Sequence, residues 1–86
     1  MRASKNIVGP TIRRLRNNAG LSQPALAARC GVLGWDLSRE VLAQIESQFR
    51  YVTDWELVVL ARALSVSVIE LIPLKFLGGR KVPGMN

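Results

Sequence analysis

The stretch Leu21–Glu46, LSQPALAARCGVLGWDLSREVLAQIE, constrains the fold most, because it spells two short helices and the turn between them. Ser22-Gln23-Pro24 has the form of a helix start. The serine hydroxyl can cap a free amide, and proline is tolerated in a first turn, where its missing N–H has no partner to lose. Leu26, Ala27, Cys30 and Leu33 then recur at helical spacing. That stripe runs past Gly31, so the helix is expected to continue, with Gly34 as its C-terminal glycine and Trp35-Asp36-Leu37 as the turn. Ser38 caps the second helix, which is expected to bury Leu42, Ile45 and Phe49. Arg39, Glu40, Val41, Ala43 and Gln44 are left on or near its other side. A helix presented this way on a small basic chain suggests insertion into the major groove of DNA.

Charge is distributed to match. The chain has 12 Lys and Arg against 6 Asp and Glu, a net charge of +6. Residues 1–50 hold eight of those cations against three acids, and residues 51–86 hold four against three. Positive charge therefore accompanies the helix pair, as expected where that half meets phosphates. A basic face kept for solubility is the reading that charge alone leaves open.

Other classes are poorly served. Eighty-six residues make one domain, and 49% hydrophobic residues suffice for one small core. One cysteine and no histidine exclude an internal disulfide and the usual zinc sets. No nucleophile sits beside a recognisable base and no glycine-rich phosphate loop joins strand to helix, so no catalytic residue, metal or cofactor is expected. The start, MRASKNIVGP, has no apolar run of a leader peptide, and Leu57–Leu77 is interrupted by Arg62, Glu70, Pro73 and Lys75, so no membrane segment is expected. A cytoplasmic protein is the expectation, which a lone cysteine fits.

The flanking segments complete an all-α reading. Residues 1–7 read as a flexible basic arm carrying Arg2 and Lys5. Gly9-Pro10-Thr11 opens a helix with Val8, Ile12 and Leu15 on one stripe, closed by Asn17-Asn18-Ala19-Gly20. After a loop over Gln48–Val52, Thr53-Asp54-Trp55-Glu56 forms a capping box, and Leu57, Leu60, Ala61 and Leu64 follow at period 3.6. Ser67-Val68-Ile69-Glu70 repeats the box and opens a short fifth helix that Pro73 stops. Residues 8–73 make the domain, and 74–86 a tail that is disordered in part after Leu77. Trp35 and Trp55 are expected in core or rim packing rather than base stacking. Cys30, on the apolar stripe, reads as an inert small hydrophobe.

Three segments, IVGPTIRRLRNNAGLSQPALAARCG, LAQIE and VTDWELVVLARALSVSVIELIP, together resemble the XRE type of helix-turn-helix shared by phage repressors and Cro proteins. The resemblance covers residues 7–73 and rests on coinciding spaced features: the Leu21-Ser22-Gln23 opening, Ala27 four before Gly31, and the Ile45-Glu46 pair. It implies a five-helix phage-repressor-like domain that binds operator DNA, commonly as a dimer. One departure stands out: the distance from Gly31 to Glu46 is about five residues longer than is typical, giving an extended turn whose shape sets the angle between the two helices.

Carried over by position, the resemblance implies that Gln23 meets a phosphate and that Arg39, Glu40, Val41, Ala43 and Gln44 lie near the bases. Arg39 suits a guanine edge, Gln44 an adenine, Glu40 a cytosine amine, and Val41 or Ala43 a thymine methyl. Glu40 is also read as a group that only orients or repels. Arg16 and Glu46 are implied to form a structural ion pair. Arg13, Arg14, Arg50 and Tyr51 are further phosphate candidates, each equally readable as a solvated side chain. The expected partners are double-stranded DNA with a palindromic operator and a second copy of the chain. The alternative is a protein-interaction module of antitoxin or adaptor type, binding a protein partner through the apolar tail Leu71–Leu77.

Overall fold

The computed structural model describes residues 4–78. Its α-helices are α1 (Gly9–Asn18), α2 (Gln23–Val32), α3 (Arg39–Glu46) and α4 (Asp54–Ala63). Two short 3-10 turns follow, at Val68–Leu71 and Leu74–Phe76, and no strand occurs among the described residues. The expected fifth α-helix is thus corrected: Val68–Leu71 winds as a single 3-10 turn. The capping pair is present there, with Glu70 accepting from the Ser67 amide at 2.8 Å. Ile72, forced towards extended backbone by Pro73, ends the turn before α-helical bonds can propagate (φ −92°, ψ 125°). The disorder expected after Leu77 concerns 79–86, and Arg2 of the expected arm lies in 1–3, both outside the described residues.

Every element contributes to one core. The fully buried side chains are Ile12 from α1, Leu26 and Cys30 from α2, Leu42 and Ile45 from α3, Leu60 from α4 and Leu71 from the first 3-10 turn. Each large aliphatic group among them is worth about 1.5–3 kcal/mol of burial. Phe49, expected on the buried side of α3, is instead 47% exposed. The helix ends at Glu46, and Gln48 takes a left-handed φ of 66°, so Phe49 leaves the helical stripe before it can follow Ile45 inwards.

All four α-helices close in the same way. In each, the amide of the second residue past the cap reaches back five residues while the left-handed residue before it bonds inside that loop, the Schellman pattern. The pairs are Leu21 to Arg16 O, Trp35 to Cys30 O, Phe49 to Gln44 O and Val66 to Ala61 O. For α2 this places Gly34 in the left-handed position, with φ 101°, and Leu37 then dips back into the core at 6% exposure. The extended turn is therefore a closed structure that delivers Ser38 to its capping position, where its hydroxyl accepts from the Val41 amide.

Candidate nucleic-acid interface

α3 is held from behind by a buried carboxylate. Glu46 is 2% exposed and accepts from Arg16 Nε at 2.7 Å and Arg16 Nη2 at 3.0 Å, a two-pronged pair. Arg16 Nη1 also donates to the Leu21 carbonyl, so α1, the start of α2 and the end of α3 meet at one guanidinium. Gln23 Nε2 donates to Glu46 Oε1 at 3.1 Å, and Arg13 Nε approaches the same oxygen at 3.5 Å. Burial by itself would push the Glu46 carboxyl upwards, but the donors from Arg16, Gln23 and Arg13 outweigh it and hold it below its ordinary value. The same bonds raise the Arg16 guanidinium, against its own burial.

Asn6 is a second fastening that sequence reading missed. Its Nδ2 donates to the Ile45 and Arg50 carbonyls at 3.0 and 2.9 Å, and its Oδ1 accepts from the Val8 and Gly9 amides. It thereby braces the start of α1 and grips the exit of α3, while Gln48 Nε2 donates back to the Asn6 carbonyl and the Lys5 amide donates to Gln48 O. The available signal was an asparagine three residues before Gly9-Pro10, the spacing of a side-chain cap.

With its inner side fixed, α3 presents Arg39, Glu40 and Gln44 to solvent, with Ala43 half-buried between them. Positions 39, 40, 43 and 44 form one strip along a helix of this pitch. Val41 lies off that strip and packs partly against the core, so of the five base candidates it is the least available. Ser38 supplies the cap at the head of this strip.

The phosphate candidates separate by how they are already engaged. Gln23 is half-buried and has one amide hydrogen committed to Glu46, leaving the other for an anion at the start of α2. Arg13 and Arg14 are exposed on α1, and Arg13 leans towards Glu46. Tyr51 is 71% exposed and has the Lys5 ammonium 5.6 Å from its ring centroid, which brings a cation beside the hydroxyl-bearing ring. Arg50 is spoken for: Nη1 and Nη2 donate to Glu56 at 2.9 and 3.0 Å, and Nη1 also to the Tyr51 carbonyl. Those bonds raise Arg50 and, led by the Arg50 donors, lower Glu56, which simultaneously caps α4 through the Thr53 amide. Trp35 is half-buried against the core and Trp55 is 57% exposed at the rim. Burial lifts the Cys30 thiol to about 11, which leaves it unreactive. Among the described residues no group of acidic, cysteine or histidine side chains could hold a metal, and no helix is long and apolar enough to cross a membrane.

Comparison with known proteins falls on this architecture. A helix-turn-helix domain family model matches residues 7–72. The restriction-modification controller protein C.AhdI from Aeromonas hydrophila is 34% identical, with a TM-score of 0.68 over 76% of this chain and 91% of that one. The DNA-binding domain of BldD is 28% identical, with a TM-score of 0.68 over 85% of this chain and the whole of its own. A hypothetical transcription factor, NHTF, from Neisseria is 25% identical, with a TM-score of 0.70, covering 87% of this chain and 86% of that one. No curated protein sequence matches the chain.

Proposed function

The chain belongs to the XRE-type helix-turn-helix family, and from that premise we propose that it is a transcriptional regulator that places α3 in the major groove of an operator. The observation that carries this reading is the solvent-facing strip of Arg39, Glu40, Ala43 and Gln44 on a helix whose opposite side is buried and pinned at Glu46. Arg39 pairs with a guanine edge, Gln44 with an adenine, and Ala43 meets a thymine methyl. Glu40 accepts from a cytosine amine or keeps Arg39 extended. Val41 contributes at the margin. Gln23, Arg13, Arg14 and Tyr51 take phosphates, and Arg50 positions the loop that carries Tyr51. Residues 8–73 are the binding unit, and the protein acts in the cytoplasm as a homodimer on a palindromic site, with half-sites about 34 Å apart.

Selection from a random duplex pool, run with wild type and Arg39→Ala at near-physiological salt, tests this. A palindromic consensus that the variant blurs is the expected result. The loss should be about 1–3 kcal/mol on the selected site and none on random duplex. Recovery of no consensus, with binding that vanishes as salt rises, would reduce the activity to phosphate attraction and remove the regulator reading.

A second reading has one observation behind it. Ile69 and Leu74 are 62% and 85% exposed beside the Pro73 bend, more apolar surface than that segment uses in its own packing. Occupied by a second copy, this surface makes the dimer; occupied by another protein, it makes an antitoxin-like or adaptor module. A monomer in solution would favour the latter.

A further inference from the structure

The C-terminal end of α2 builds something besides a linker. Val32, at its last position, is 88% exposed, and Leu33 beside it is half-buried. Facing them, α4 presents Trp55 and Val58, at 57% and 47% exposure. Leu33, Trp55, Val58, Val59 and Arg62 line a shallow hollow of about 210 Å³. Arg29, Val32, Leu33, Arg62, Ala63 and Ser65 line a second, of about 270 Å³. The two share Leu33 and Arg62, so they form one trough along the seam between α2 and α4.

Its rim is cationic. Arg29 Nη1 donates to the Ala63 carbonyl at 3.2 Å, which fixes that guanidinium at the edge and leaves its other N–H groups unpaired among the described residues. The Arg62 side chain is exposed and makes no hydrogen bond or ion pair among the described residues. No acidic side chain lines either hollow.

These features select an occupant. A contiguous apolar strip with a polar rim marks an interaction surface, and tryptophan with arginine is the composition that concentrates binding energy. DNA would gain nothing from the apolar floor, and neither hollow includes Gln23 or any residue of α3. A two-fold contact with a second copy would bring the same patch against itself and crowd its arginines together. An acidic partner meets both requirements.

We propose that this trough docks an amphipathic helix of a partner protein, with apolar side chains one turn apart seated between Val32 and Trp55 and carboxylates paired with Arg29 and Arg62. The proposal does not depend on DNA binding, and the surface stays open when α3 is occupied.

Amide NMR spectra of the full chain, titrated with two synthetic 16-residue helical peptides, test it. The peptides share leucines at one face and differ only in flanking glutamates or lysines. The glutamate peptide should shift Val32, Leu33, Trp55 and Val58 saturably, and the lysine peptide should leave them in place. Trp55→Ala should weaken binding roughly tenfold. Arg62→Glu, at a residue with no partner in the fold, should transfer the preference to the lysine peptide and leave DNA affinity unchanged, which tests the charge even if Trp55→Ala loosens α4. Equal shifts with both peptides, shifts elsewhere only, or no shift with either at millimolar concentration would overturn the proposal. So would shifts that develop with protein concentration alone, which would give the trough to a second copy.

Discussion

At Glu46 a carboxylate stays charged in the core because three side chains donate to it, and most of its consequences concern what happens when one partner is missing. Glu46→Gln should cost about 3–5 kcal/mol in chemical denaturation, since it strands the Arg16 charge at 11% side-chain exposure. Replacing both partners by leucine and methionine should restore much of that loss, the outcome that separates a stranded charge from a packing defect. The pH dependence follows the direction of the shift. Glu46 and Glu56 both have folded-state values below their ordinary ones. Their contribution is complete above the ordinary glutamate value of about 4.3 and is lost as pH falls through the depressed folded values. Thermal midpoints should therefore be flat from neutrality to mild acid and drop below that range, and Glu46→Gln should flatten the acid limb. Gln23→Ala should weaken specific and random duplex alike, because the amide has one hydrogen left for a phosphate and none for a base.

Helix ends show how much of the fold the sequence discloses. Gly20 and Gly34 were readable as left-handed caps because glycine is the residue that takes such a φ without penalty. Gln48 and Ser65 occupy the same position in α3 and α4, at φ 66° and 59°, and nothing in their chemistry announces it. That is why Phe49, which lies past the end of α3, was expected inside. Ser65→Gly should accordingly stabilise the fold by about 1 kcal/mol, measured by urea titration, with Gln48→Gly gaining less because it deletes the bond to Asn6 O. Helical glycines divide in another way. A methyl group at Gly9 would run into the carbonyl oxygens of Ile45 and Glu46, where α1 crosses α3, and two backbones cannot step aside cheaply. Gly9→Ala should lose about 1–3 kcal/mol or more. Gly31 has open space around it, and Gly31→Ala should gain about 0.5–1 kcal/mol. Spacing reveals a helix stripe, and it carried α1, α2 and α4 faithfully. A close backbone crossing depends on an angle between helices that no local pattern encodes.

At the scale of the whole molecule, charge governs binding to DNA, and the proposed dimer would add to it. Operator binding should fall steeply with salt, by about 10³ or more between 50 and 200 mM if six or more phosphates are contacted. Leu74, 85% exposed next to a proline bend, can be changed without touching the core. If this surface makes the proposed dimer, Leu74→Asp should keep the helical spectrum, shift sedimentation from dimer to monomer, and reduce affinity for the full palindrome while sparing the half-site. The polar fastenings of α3 also share a location. Arg16, Gln23 and Asn6 all act at Glu46, Ile45 or the residues just beyond, whereas the head of the helix has only Ser38 bonding within its own first turn. The end nearest Gln44 is thus held by polar bonds, and the end that carries Arg39 by the packing of Leu37 and Leu42. If Gln44 and Arg39 both read bases as proposed, removing the Glu46 fastening should blur the operator at the letter beneath Gln44 before the letter beneath Arg39.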